Sequence, residues 1–296
     1  MLALIPDELN PWKDNTLPKS ISTDTSTAAA FVLLATQTST EAIRRAHALH
    51  DRSEPEALHK LRVALRRLRS LWWAYEPLLD KKDAKRKRSE FKYLADAAGR
   101  TRDWDVLRDI LIVNQPKQLS QRRLLVAVEE HRTNALSFSL RTIRSAGVEE
   151  ILQGALTSAA HQLDSRSVVP ALSEFAEERV VVAEKALKRR VSQATEPEHL
   201  GYAALHEVRI AGKKLRYLLE FFSPVLARSH QSTIERLTSV QNELGKLNDL
   251  VTSETLLREY SFQLGERDEV KEAVRYLEDQ KRLHMCAAHE ILRASS

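Results

Sequence analysis

From His59 to Arg69 the chain reads HKLRVALRRLR, which places five Lys or Arg and one His in eleven residues without a single Asp or Glu. In an α-helix His59, Arg62, Arg66 and Arg69 fall within about 80° of arc, so their side chains form one row. Leu58, Leu61, Leu65, Leu68 and Trp72 occupy the neighbouring arc and make an apolar stripe beside the basic one. Solvated helix faces mix their signs and place acids one turn from bases, because like charges at that spacing repel. A row with no internal acid is suited to a polyanion. Arginine offers a forked pair of donors to phosphate oxygens, lysine a compact charge, and a histidine of raised pKa can join by protonating. Ten residues of helix span about 15 Å, enough to follow several successive phosphates of a linear chain.

The device occurs twice. LHKLRVALRRLRSLWWAYEPLL from Leu58 aligns without a gap on LHEVRIAGKKLRYLLEFFSPVL from Leu205, with nine of 22 positions identical. His206, Arg209, Lys213 and Arg216 therefore repeat the basic row, beside Leu205, Val208, Gly212, Leu215 and Leu219. Downstream, Gly99, Arg100 and Asp103 correspond to Gly245, Lys246 and Asp249 at nearly the same offset. A second basic stripe, Lys81, Lys85, Arg88 and Lys92, recurs within about 60° of arc on the following helix. Across Lys60–Lys92 there are twelve Lys or Arg against four Asp or Glu, so positive charge is concentrated although the whole chain carries only +5.

These residues need helices to hold them. The 296-residue chain has 43% hydrophobic residues, only seven Gly, and long stretches rich in Ala, Leu, Glu, Lys and Arg, which is an all-α composition with enough apolar mass for a core. The repeat divides it into an N-terminal arm (1–25), a first helical half (26–146), a linker (147–168) and a second half (169–296). Thr25 or Thr27 caps a first helix reaching about His50, and Pro55 opens a second that ends before Pro77. A third runs from Lys81 to Ala98, where Gly99 stops it and Asp103 caps the next; Gly245 and Asp249 repeat that arrangement. Further helices are expected over about 121–145, 171–194, 202–222, 231–244 and 267–294. A pseudo-twofold arrangement of the halves would place both basic walls around one channel.

ALHKLRVALRRLRS, AAGRTRDWDV, LHEVRIAGKKLRYLLEFF and LGKLNDL, in that order, resemble the CHAD family, the conserved-histidine α-helical domains. The resemblance runs from about Ser26 to the C-terminus. It implies two four-helix bundles related by a pseudo-twofold axis, with a central basic cavity that binds inorganic polyphosphate. Transferred position by position, it implies ligand contacts from His59, Arg62, Arg66, Arg69, His206, Arg209, Lys213 and Arg216. Lys60, Arg67, Lys214 and Tyr217 also match but are angled away from the rows, and Glu207 stands where the first copy has Lys60. Some relatives carry a triphosphate-tunnel catalytic domain marked by an alternating Glu-x-Glu-x-Lys strand, which this sequence lacks. The expectation is a standalone binding module, not an enzyme, with no cofactor.

Other constellations point to ordinary structure. Of His284, Cys286 and His289 only Cys286 and His289 could share a ligand, which makes a poor metal set; His47 and His50 could converge but lack a carboxylate at helical spacing. Asp103, Asp105 and Asp249 suit capping or the fixing of a nearby Arg better than acid catalysis. Trp72 belongs to the apolar stripe, whereas Trp73 falls on the basic arc. A nucleic-acid binder would use the same charges but needs aromatic platforms among them, and Trp73 is the one candidate. A phosphohydrolase would need a nucleophile or an acidic metal cluster, and neither is evident. A single Cys286 excludes an internal disulfide framework, and no apolar run reaches the roughly 18 residues of a membrane span. The expected setting is the cytoplasm without membrane contact, at polyphosphate granules if the resemblance extends that far.

Overall fold

The computed structural model describes residues 20–49, 55–113, 122–196, 198 and 200–294. Among the described residues there are nine α-helices, one 3₁₀ turn and no strand: α1 (Thr27–His47), α2 (Pro55–Ala74), the 3₁₀ turn Glu76–Leu78, α3 (Lys81–Val113), α4 (Arg122–Ser145), α5 (Val148–Asp164), α6 (Leu172–Thr195), α7 (Tyr202–Phe222), α8 (Gln231–Glu259) and α9 (Arg267–Ala294). The all-α expectation holds. Among the described residues no helix is long and apolar enough to cross a membrane.

The chain divides into two compact units, one of Met1–Ala98, Leu140–Val182 and Tyr217–His230, the other of Gly99–Ser139, Ala183–Arg216 and Gln231–Ser296. Each unit draws on both sequence copies. In the first, α1 packs on α2 and α5 around an aromatic chain. Phe31 meets Trp72 and Tyr75 edge-on at 4.9 and 4.8 Å, Trp72 meets Phe91 at 5.0 Å, and Tyr75 meets Phe175 at 4.7 Å. The Tyr75 hydroxyl, wholly buried, donates to the Thr27 carbonyl at 3.2 Å, which satisfies the one polar atom of the cluster. In the second unit Trp104, Leu107, Leu111, Leu250, Leu257 and Leu277 form one apolar cluster. Leu205, Val208, Leu244, Leu247 and Leu292 form another.

Several boundaries differ from the sequence expectation. Gly99 and Gly245 stop nothing: α3 and α8 run through them, and Asp103 and Asp249 lie inside helices, not at caps. One interior Gly costs a helix only about 1 kcal/mol, and here buried positions continue at helical spacing on both sides, through Leu94, Ala98, Thr101, Trp104 and Leu107 in α3 and Leu244, Leu247 and Leu250 in α8. The left-handed glycines are instead Gly147, just before α5, and Gly265, between α8 and α9. Residues 147–168, expected as a linker, contain α5, which buries Leu152, Leu156 and Leu163. The α1 cap is Ser26, whose hydroxyl accepts from the Ala29 amide at 3.2 Å, while Thr27 donates to the Pro170 carbonyl at 2.6 Å. In the expected arm, residues 1–19 lie outside the described residues, but Ile21 and Thr25 are buried. His50, expected near the end of α1, also lies outside them.

A Cβ built on Gly245 meets nothing within 4 Å. Gly245→Ala is therefore expected to stabilise the protein by about 0.5–1 kcal/mol, read as a higher denaturant midpoint. A lower midpoint would mean that this glycine is a helix stop after all.

Candidate anion-binding site

On α2 the phase predicted from sequence is the phase observed. Leu58, Leu61, Leu65, Leu68 and Trp72 are at most 1% exposed, and each buried leucine contributes about 1.5–3 kcal/mol. Five such anchors hold the helix against rotation about its axis. The row beside them, His59, Arg62, Arg66 and Arg69, is half-buried along its whole length. The Nε atoms of Arg66 and Arg69 and the Nδ1 of His59 are buried, so the guanidinium stems lie along the protein while their outer edges remain accessible. Arg69 is the most telling member. Its Nε has no hydrogen-bond partner among the described residues. Burial lowers its pKa from the ordinary value, the Asp96 charge opposes that, and Arg88 adds to it. It stays protonated regardless, and is a cation held partly out of water.

Most of the other predicted bases have acids. Lys60, exposed, lies 3.6 Å from Glu56. Arg67 donates to Glu220 at 2.6 Å and its guanidinium lies 5.5 Å from the ring centre of Tyr217 and 5.0 Å from that of Phe221. Tyr217 is itself buried beneath it. On α3 Arg88 donates to Glu76 from both terminal nitrogens, at 2.9 and 3.3 Å, and Lys92 pairs with Asp96. Lys81 and Lys85 are exposed. The α3 stripe is thus partly neutralised within the protein.

In the second unit the Tyr202–Arg216 part of α7 repeats the design. Leu205, Val208 and Leu215 are buried, while His206, Arg209, Lys213, Lys214 and Arg216 are half-buried. Gly212 is buried, with Leu187, Leu237 and Gln241 at 3.7–4.0 Å from where a Cβ would sit. Arg216 Nε donates to the Gln241 amide oxygen at 2.9 Å. His206 Nδ1 lies 3.1 Å from the Tyr202 hydroxyl, which donates to Asn248 Oδ1 at 3.1 Å. The raised pKa expected for a ligand-site histidine is not found for His206. Burial depresses it first, Arg209 and Lys213 add to that, and Glu207 and Asn248 oppose.

The supporting residues Tyr202, Asn248 and Gln241 were not legible as site residues, because neither type nor spacing marks them. Arg179 on α6 was passed over too, although its phase could have marked it. It occupies a core-phase position among Phe175, Ala176, Val180 and Ala183, and is 7% exposed. Its guanidinium lies 4.9 Å from the Trp73 ring centre, so the aromatic residue of the basic arc is already covered on one side.

The remaining constellations are structural. Asp105 is buried and holds Arg132 at 2.6 Å. His284 pairs with Glu243, buried His289 Nε2 contacts the Leu200 carbonyl at 2.9 Å, Cys286 is exposed, and His47 lies 3.3 Å from Glu149. Among the described residues no group of three or more His, Cys, Asp or Glu is placed to hold a metal ion.

An all-α protein with duplicated His/Arg helices is the class that fold and site define. The CHAD domain family matches residues 34–258, and the chain belongs to that family. The crystal structure of the CHAD domain from the plant Ricinus communis superposes with a TM-score of 0.79 at 24% identity, covering 93% of this chain and 94% of that one. PptA from Streptomyces chartreusis superposes with a TM-score of 0.66 at 17% identity, covering 91% and 98%. Rv2226 of Mycobacterium tuberculosis is 27% identical over 208 residues, which are 67% of this chain and 39% of that protein.

An anion beside His206 favours the imidazolium, so the bound-state pKa exceeds the depressed free-state value. Affinity for such an anion is then flat at high pH, rises as pH falls through the bound-state pKa, and levels off below the free-state pKa. Titrations between about pH 8 and pH 5 should show this component in the wild type and its loss in His206→Asn. Identical pH profiles would remove His206 from the site.

Proposed function

We propose that this CHAD-family protein binds inorganic polyphosphate through the basic rows of α2 and α7, without turning it over. CHAD domains are associated with polyphosphate, and the chemistry of the rows agrees. The observation that carries the reading is the half-buried row His59, Arg62, Arg66 and Arg69, held at the edge of a leucine core, with a desolvated Arg69 whose Nε has no hydrogen-bond partner among the described residues. Partly removed from water, these cations favour a ligand that supplies one negative charge at every short step. A polymer of linked phosphates does so without asking for any base recognition.

Nucleic acid is the competing polyanion. It rewards aromatic surfaces between the cations, each stacked base being worth about 1–3 kcal/mol. The aromatic residue on the α2 arc, Trp73, has Arg179 against one face of its ring, and no other aromatic lies on that arc of the sequence. Binding without catalysis fits a role in holding or localising polyphosphate, including at granules.

A competition titration of long-chain polyphosphate, single-stranded RNA and orthophosphate at fixed salt tests this. Polyphosphate should bind tightest per phosphate and with a steep salt dependence. RNA binding as tight or tighter at matched charge would overturn the assignment. Phosphate release from polyphosphate or nucleoside triphosphates, sustained through purification with or without Mg²⁺, would overturn the binding-module reading.

A further inference from the structure

Arg179 is not part of the duplicated rows, yet it has the properties of an anion ligand. It is 7% exposed, and its Nε is buried with no hydrogen-bond partner among the described residues. What holds it is neutral: the Trp73 carbonyl accepts from Nη2 at 3.4 Å, and the Trp73 ring lies against the guanidinium. A cation so far out of water, without an acid in direct contact, is costly to maintain for packing alone. Burial lowers its pKa, and the charges of Glu178 and Glu76 oppose that from a distance.

Its placement gives the cost a use. Trp73 lies one helical turn beyond Arg69 on the arc of the basic row, so Arg179 stands where the row would gain its next member. The indole takes one face of the guanidinium, which leaves the N–H edge as the part able to meet phosphate oxygens. Glu76 is anchored by both terminal nitrogens of Arg88 and also acts electrostatically on Arg179. One carboxylate thus serves two arginines in the absence of a ligand.

We propose that Arg179, held against Trp73, is a further guanidinium of the α2 anion-binding row, with Glu76 as an internal counter-ion that a bound phosphate displaces. The assignment rests on the reading that the α2 row binds a polyanion. Arg179→Met keeps the bulk and removes the charge. It should weaken long-chain polyphosphate binding roughly tenfold or more and make log affinity against log salt shallower by about one unit. Arg179→Lys should recover part of the affinity. Glu76→Gln should tighten binding, and that gain should shrink in the Glu76→Gln/Arg179→Met double variant.

Unchanged affinity and salt slope in folded Arg179→Met overturn the inference and leave polyphosphate binding standing. If Arg179→Met fails to fold by circular dichroism, the gain in Glu76→Gln supports the inference, and its absence overturns it. If the wild type binds RNA but not polyphosphate, the proposed function falls. The Arg179→Met comparison with RNA then decides this residue: a loss supports it, no loss overturns it. Binding of neither polymer overturns both.

Discussion

Everything about the site depends on one constraint, the adjacency of an apolar and a basic stripe on a single helix. Helical geometry puts residues three and four apart on one face, so the leucines that fix α2 in the core also fix the azimuth of the arginines beside them. Leu61, Leu65 and Leu68 are fully buried, and turning α2 to bring Arg66 further out would expose them. The guanidiniums are therefore held at a boundary where they are partly desolvated and cannot swing freely. That is the condition under which a charged hydrogen bond to a phosphate is worth most, because little water must be displaced and little side-chain freedom is lost.

The disposition of acids sharpens the same point. Arg67 is clamped by Glu220 and lies against Tyr217 and Phe221, so it acts as a structural tie within its unit. Lys60, Arg88 and Lys92 also have carboxylates at hand. Arg216 Nε donates to the Gln241 amide, and His206 contacts the Tyr202 hydroxyl. Arg69, on the α2 row, has a buried Nε with no hydrogen-bond partner among the described residues.

The rows were legible because they combine two strong signals, a 3.6-residue apolar period and a gap-free internal repeat. Helix α7 is observed at Tyr202–Phe222 and α9 at Arg267–Ala294, the ranges expected from sequence. The failures have a common cause in weighing local punctuation above period. Gly99 and Gly245 carry the composition of a helix stop, but the core positions flanking them recur without a break and outweigh the roughly 1 kcal/mol penalty. Helix α5 was passed over because it lies between the two repeat copies, although Leu152, Leu156 and Leu163 mark its apolar face. Arg179 was passed over too, although a charge at a core-phase position of α6 could have marked it. The Tyr202, His206 and Asn248 relay was not legible, since α7 and α8 must meet before those three residues can.

The central claim is that phase along α2, and not total charge, selects the ligand contacts. Arg66 and Arg67 are neighbours of identical charge whose azimuths differ by about 100°, and the most direct test compares polyphosphate affinity in Arg66→Ala and Arg67→Ala. The account predicts that Arg66→Ala loses about 1.5–3 kcal/mol of binding, the scale of a charged hydrogen bond, while Arg67→Ala loses far less and shows its effect in stability instead. Equal losses of affinity in two folded variants would contradict it, and would show that a diffuse positive surface does the binding.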